Sequence, residues 1–159
     1  MSGGMAARPV PWPITALLPH APPLRLLDRL LGYDDTAARS EVTLRPDHPF
    51  ARAGRVGAHV GLELMAQGCG AHVGALARER GTPVRLGLLL GSRDFRADPA
   101  GFAVGDRLEI VVEQAMSEAG MGVYDCRIER DGAVVASARL TLYQPDDPAA
   151  IEAMMRGTP

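Results

Sequence analysis

Three polar residues, His59, Glu63 and Gln67, recur every four positions in "GAHVGLELMAQGCGAHVGALARERG" (Gly57 to Gly81), a segment otherwise almost wholly apolar. In a helix of about 100° per residue, successive members of such a series sit about 40° apart and form a single polar stripe. His72 falls on the opposite side. An ionised carboxylate in apolar surroundings is costly, so Glu63 must be paired, be protonated, or line a cavity. Positioned in a cavity, it has the chemistry of a general acid or base; paired with an arginine or backbone amides, it is only structural. A metal site built on His59 and Glu63 lacks a third ligand, so no metal is expected.

The loop before this segment, "RPDHPFARAGRVGA", brings a second histidine, His48, and ends at Gly57 and Ala58. Amides at a helix start point outward, so Gly57 and Ala58 are candidates for binding a carbonyl oxygen or oxyanion. A loop histidine, a helical glutamate and amides between them make a workable acid-base site. Gln67 would line it.

The elements that must position these groups follow from periodicity. "AARSEVTLRP" alternates Ala38, Ser40, Val42 and Leu44 against polar neighbours, as a half-buried strand does. "VRLGLLLGSRDFRA" opens as a continuous apolar run, and "VGDRLEIVVEQAM" puts Leu108, Ile110 and Val112 on one face. "MGVYDCRIER" and "AVVASARLTLYQP" flank Asp131-Gly132, a dipeptide that favours a type I′ hairpin. Gly81-Thr82-Pro83 stops the helix. About five to six antiparallel strands and one helix apolar nearly all round predict an α+β domain whose curved sheet wraps the helix. Gly61, Gly68, Gly70 and Gly74 cost the helix about 1 kcal/mol each relative to alanine, so close approach of sheet or partner backbone must offset them.

A chain of 159 residues, 47% hydrophobic, suits one core. The reading is a flexible arm over residues 1–12, one domain over 13–145 and a tail over 146–159. A net charge of −2 exerts no pull toward nucleic acid or an anionic membrane, and every basic side chain is arginine. Cys69 and Cys126 read as buried free thiols. Pro9, Pro11, Pro13 and Pro19 break any signal-peptide core, and no apolar run nears the ~18 residues of a membrane span, so a cytoplasmic protein is expected.

Two stretches resemble a known family. "LLPHAPPLRLLDRLLG" (Leu17 to Gly32) is similar to the opening of the beta-hydroxyacyl-acyl-carrier-protein dehydratases, and "GLELMAQ" (Gly61 to Gln67) to their helix motif "EAMAQ". The subgroup associated with aryl polyene pathways, ApeP-like, opens its helix "VPAWVGLEYMAQ", where this chain has "VGAHVGLELMAQ". The resemblance spans about residues 14–145 and implies the hotdog fold, usually a dimer with a continuous sheet.

It also implies an activity: dehydration of 3-hydroxyacyl thioesters to trans-2-enoyl thioesters, with no cofactor beyond the phosphopantetheine that the substrate carries. Glu63 would then be the acid that protonates the departing hydroxyl, and the histidine would be the base. The family's histidine stands fourteen residues before the glutamate, whereas His48 is one residue further off. Three possibilities remain open: His48 serves, His59 serves, or the histidine role is lost. Arg25, Arg52, Arg55 and Arg93 are candidates for the phosphopantetheine phosphate or an acidic carrier surface. The implied partners are an acyl carrier protein or acyl-CoA substrate and a second hotdog subunit, identical or related. A hotdog thioesterase and a non-catalytic partner subunit are the alternatives.

Overall fold

The computed structural model of the chain describes residues 8–19, 25–85 and 87–144. After a 3₁₀ turn (Ile14–Ala16) the order is β1 (Arg29–Tyr33), β2 (Ala37–Thr43), β3 (Ala51–Arg52), β4 (Arg55–Val56), α1 (Val60–Arg80), β5 (Leu88–Ala97), β6 (Phe102–Ala103), β7 (Arg107–Glu118), β8 (Met121–Arg130) and β9 (Ala133–Tyr143). Six strands form an antiparallel sheet in the order β1-β2-β7-β8-β9-β5, and β3, β4 and β6 form a small second sheet. α1 touches all six strands of the large sheet. This is the hotdog arrangement of one helix against a six-stranded antiparallel sheet.

The alternation in β2 and β7 does what the period predicts. Ala38, Val42, Leu44, Leu108, Ile110 and Val112 are all buried. Glu41, which the alternation puts on the polar side, is nearly buried as well, and Arg29 and Arg107 pair with its carboxylate. Those two guanidinium groups hold it below the usual carboxylate range against the opposing effect of its burial, the largest single influence on it.

The glycines of α1 sit where the helix is approached most closely. A Cβ at Gly68 would lie 2.7 Å from Ile110 Cγ2 of β7, and one at Gly74 would run into the carbonyl of Leu17. So the expected close approach is real, and half of it comes from the N-terminal segment rather than the sheet. The helix starts at Val60, three residues later than Gly57, because the Val60, Gly61 and Leu62 amides first turn back on the carbonyls of Gly57, Ala58 and His59. It ends at Gly81, whose φ of 72° is the left-handed cap expected there.

Residues 8–12, read as part of a loose arm, are tied down: the Arg8 amide donates to Tyr33 O at 2.8 Å, and Trp12 packs on the Tyr33 ring at 5.9 Å. Residues 1–7, the segment with His20, and the tail over 146–159 lie outside the described residues. Cys69 and Cys126 are buried free thiols, as expected, with sulfurs 3.5 Å apart. Among the described residues no helix is long and apolar enough to cross a membrane.

The apolar run that opens β5 is not covered within this chain: most of the strand is exposed, with Leu89 at 42% and Leu90 at 45%. Among the described residues β5 pairs with β9 on one side only and is a free edge of the sheet. Hydrophobicity marks a surface to be covered without saying which chain covers it.

Candidate active site

Glu63 lies in the first turn of α1. The sequence places it in apolar surroundings; in the single chain it is exposed. Its surroundings include Gly87 and Leu89 at the start of β5, so the apolar enclosure is half built. What holds Glu63 is Gln67. Gln67 is 1% exposed, and its Oε1 accepts the Leu26 backbone N–H at 2.8 Å. That bond fixes the amide orientation, so Nε2 is presented to Glu63 Oε1, 3.2 Å away. Glu63 and Gln67 together line a cavity of about 150 Å³ that runs along α1 between Leu18, Val73 and Leu89.

Neither candidate histidine joins them within this chain: among the described residues, no hydrogen bond or ion pair links His48 or His59 to Glu63. His59 is the exposed N-cap residue of α1, and its ring folds over Gly57, where an added Cβ would meet Cε1 at 2.6 Å. His48 sits in the turn between β2 and β3. Its Nδ1 accepts the Phe50 amide N–H at 3.1 Å, and its Nε2 is buried without a partner among the described residues. Burial pushes the imidazole below its ordinary range, outweighing the upward pull of Asp47 and Asp28. The neutral ring that accepts at Nδ1 carries its proton on Nε2. As arranged, His48 offers a donor rather than a base.

The amides of Val60, Gly61 and Leu62 are spent on the turn that starts the helix. That leaves Gly57 and Ala58, just ahead of it, as the candidate amides. Their backbone is gripped from two sides, by the His59 ring and by Gly101, where a Cβ would meet the Val56 carbonyl and lie 3.0 Å from the Ala58 nitrogen. Gly101, at φ +71°, escaped the sequence reading; "DPAG" looks like any turn.

The four arginines separate. Arg52 and Arg55 face each other across the β3–β4 hairpin that leads into Gly57. Arg55 donates to the Ala100 carbonyl, and Arg52 to the carbonyls of Ala51 and Pro49. Arg93 lies on β5 at a different depression, shared with Arg127 and Arg139, and does not line the Glu63 cavity. Arg25 directly precedes Leu26, whose amide anchors Gln67.

Comparison with known proteins fits this geometry. The sequence profile of the ApeP dehydratases matches residues 12–153. A 3-hydroxyacyl-[acyl-carrier-protein] dehydratase, FabZ, of Brucella melitensis is 32% identical over 134 residues, covering 80% of this chain and 83% of that protein. Its counterpart in Brucella abortus is 31% identical over the same shares. Among solved structures, the dehydratase heterocomplex ApeI:P from Xenorhabdus doucetiae aligns with a TM-score of 0.84 at 29% identity, over 90% of this chain and 97% of that one. A hypothetical thioesterase with coenzyme A from Streptococcus pneumoniae, at 20% identity and a TM-score of 0.57 over 72% of this chain and 83% of that one, shares the fold. The chain belongs to the ApeP-like family of hotdog dehydratases.

Proposed function

We propose that this chain dehydrates 3-hydroxyacyl thioesters to trans-2-enoyl thioesters, on an acyl carrier protein, at a site completed by a second hotdog subunit. The observation that carries this reading is the Glu63 carboxylate, held by an anchored Gln67 at the edge of an apolar cavity along α1. A base takes the proton alpha to the thioester carbonyl, and the negative charge that develops on the carbonyl oxygen is met by the Gly57 and Ala58 amides. Glu63, enclosed by the second subunit, gives a proton to the beta hydroxyl, which leaves as water. The chemistry needs no metal or cofactor of the protein's own.

The second subunit has two reasons to be there. The free β5 edge with Leu89 and Leu90, and the open Glu63 face of α1, are surfaces that association would cover. The base is the other reason. His48 holds its proton on Nε2, so a related subunit supplying the histidine fits better than a second copy of this chain, and the neighbouring ApeI:P structure is a heterocomplex. Arg52 and Arg55, two cations set opposite each other beside the helix start, suit a phosphate or an acidic carrier surface.

The test is an assay of the purified chain, alone and mixed with a related hotdog subunit, on a 3-hydroxyacyl carrier-protein thioester, followed by enoyl absorbance. The mixture is expected to turn over, and Glu63→Gln to abolish it. Turnover untouched by that substitution would leave this chain a shaping partner with no catalytic group. Release of free thiol without enoyl product would identify a thioesterase instead.

A further inference from the structure

The cavity beside Glu63 continues. A second hollow of about 540 Å³ lies toward the C-terminal end of α1, and the two share Val73, Tyr124, Leu142 and Gln144. The helix residues that line them, Glu63, Ala66, Gln67, Cys69, Gly70 and Val73 in the first and Val73, Leu76, Ala77 and Arg80 in the second, follow one another along α1. They are consecutive lengths of a single groove, and the four shared residues are its waist. From Glu63 to Val73 the helix rises about 15 Å.

Tyr124 is the part of this waist that cannot move aside. Its hydroxyl lies 2.8 Å from His72 Nδ1, and His72 Nε2 lies 2.9 Å from the carbonyl oxygen of Asp34. A carbonyl accepts only, so Nε2 carries the His72 proton and Nδ1 accepts from the tyrosine. Burial keeps both groups neutral, lowering the histidine and raising the phenol, and so preserves this direction of donation. The rings also meet edge to face at 5.7 Å. On the far side the Tyr124 ring lies over Gly122, where a Cβ would come within 3.2 Å of Cε1.

We propose that Tyr124, pinned by His72, is the residue that decides how long an acyl chain the groove accepts, by closing the first chamber at the level of Val73. This rests on the assignment of the Glu63 cavity to the acyl group. Short and medium chains end within the first chamber. A longer chain must pass the tyrosine into the second chamber, whose lining includes Arg80, Gln114 and Ser117. Leu142 faces both chambers and is half-buried, so a larger side chain there narrows the same waist.

The experiment compares kcat/KM for short-, medium- and long-chain 3-hydroxyacyl carrier-protein thioesters in the active complex. Tyr124→Leu is expected to raise the long-to-short ratio about tenfold, while Tyr124→Phe, which keeps the ring and loses the hydroxyl's bonds to His72 and Gln114, raises it less. Leu142→Phe is expected to lower the ratio and carries the test if Tyr124→Leu does not fold. A ratio unchanged within about twofold in the folded variants overturns the proposal.

Binding separates this outcome from a failure of the dehydratase assignment. Unreactive 3-hydroxyacyl pantetheine amides of graded length, titrated calorimetrically, need the groove and no chemistry. A length limit in binding that Tyr124→Leu extends would uphold the waist even if no dehydration were seen. Absence of any length limit in the wild-type chain, in binding and turnover alike, would remove it.

Discussion

Two faces of one helix carry the polar residues of α1, and they are finished to different degrees. On one, His72 is fully buried, and both ring nitrogens are occupied, by Tyr124 and Asp34 of the same chain. On the other, His59 and Glu63 are exposed, the adjoining strand is a free edge, and the one described bond to Glu63 comes from Gln67 within the helix. A buried polar group without a partner costs about 1–3 kcal/mol, so the first face had to be completed by this chain in order to fold. The second carries no such penalty until something encloses it. That difference sorts the residues: His72 has its partners within this chain, while His59 and Glu63 lie open on the side where the proposed chemistry would take place.

The sharpest way to break this contrast is Glu63→Gln. The substitution is expected to lower kcat of the active complex by about 10²–10⁴, the usual worth of a positioned proton donor, while stability stays within about 0.5 kcal/mol as for other exposed positions. Enoyl formation and urea unfolding of the same preparation check both halves. A variant that lost stability but kept turnover would invert the assignment of the two faces.

Gly74→Ala probes the packing of the N-terminal segment on α1. Its Cβ would meet the Leu17 carbonyl, which belongs to backbone and cannot rotate away, so a loss of about 1–3 kcal/mol is expected in urea midpoints. Gly70→Ala sets the scale: its Cβ meets only Leu18 Cδ2, at 3.2 Å, and a side-chain methyl can shift. Equal effects would mean that the N-terminal segment is looser than this packing implies.

Gln67 belongs to the same stripe as Glu63 yet is itself buried, and should fail in both ways. Gln67→Leu leaves the buried Leu26 amide without its acceptor, for about 1–3 kcal/mol of stability, and frees Glu63 to rotate. The kinetic signature is a fall in kcat with KM nearly unchanged, because positioning of the acid is lost and not affinity. A rise in KM alone would make Gln67 a wall of the cavity and nothing more.

How much of this could be read in advance depends on which physical signal was local. The buried positions of β7 follow from a period of two, and the Asp131-Gly132 hairpin from a dipeptide suited to positive φ, observed at 52° and 81°. The hairpins at Ala53-Gly54 and Ala119-Gly120 were invisible because alanine, at φ 53° and 51°, announces nothing of the kind. The stripe of Glu63 and Gln67 was legible in the helix period, but Leu26, which orients the amide, lies 41 residues away. The apolar run of β5 was legible but its exposure was not, since a sequence records that a surface must be covered and not by whom.

The smallest expected effect is also the most diagnostic of the completed face. His72 is held neutral by burial, its pKa lowered despite the carbonyl of Asp34, while in the unfolded chain it titrates near its ordinary value of about 6.5. Below about pH 6.5 the unfolded chain therefore binds a proton that the folded one refuses, and stability falls as pH falls, by up to about 1.4 kcal/mol per unit for one such group. The effect is absent above that range. His48 is shifted in the same direction and adds to the slope, whereas the lowered carboxylates of Glu41, Asp125 and Glu129 act only in more acid solution. His72→Gln removes one proton site and leaves the others, so the loss of stability between pH 7.5 and 5.5 should shrink by about 1 kcal/mol without vanishing. Urea midpoints at the two pH values measure it. An identical slope in the variant would mean that His72 is protonated in the folded chain, which would reverse the tyrosine hydrogen bond and undo the tether at the waist of the groove.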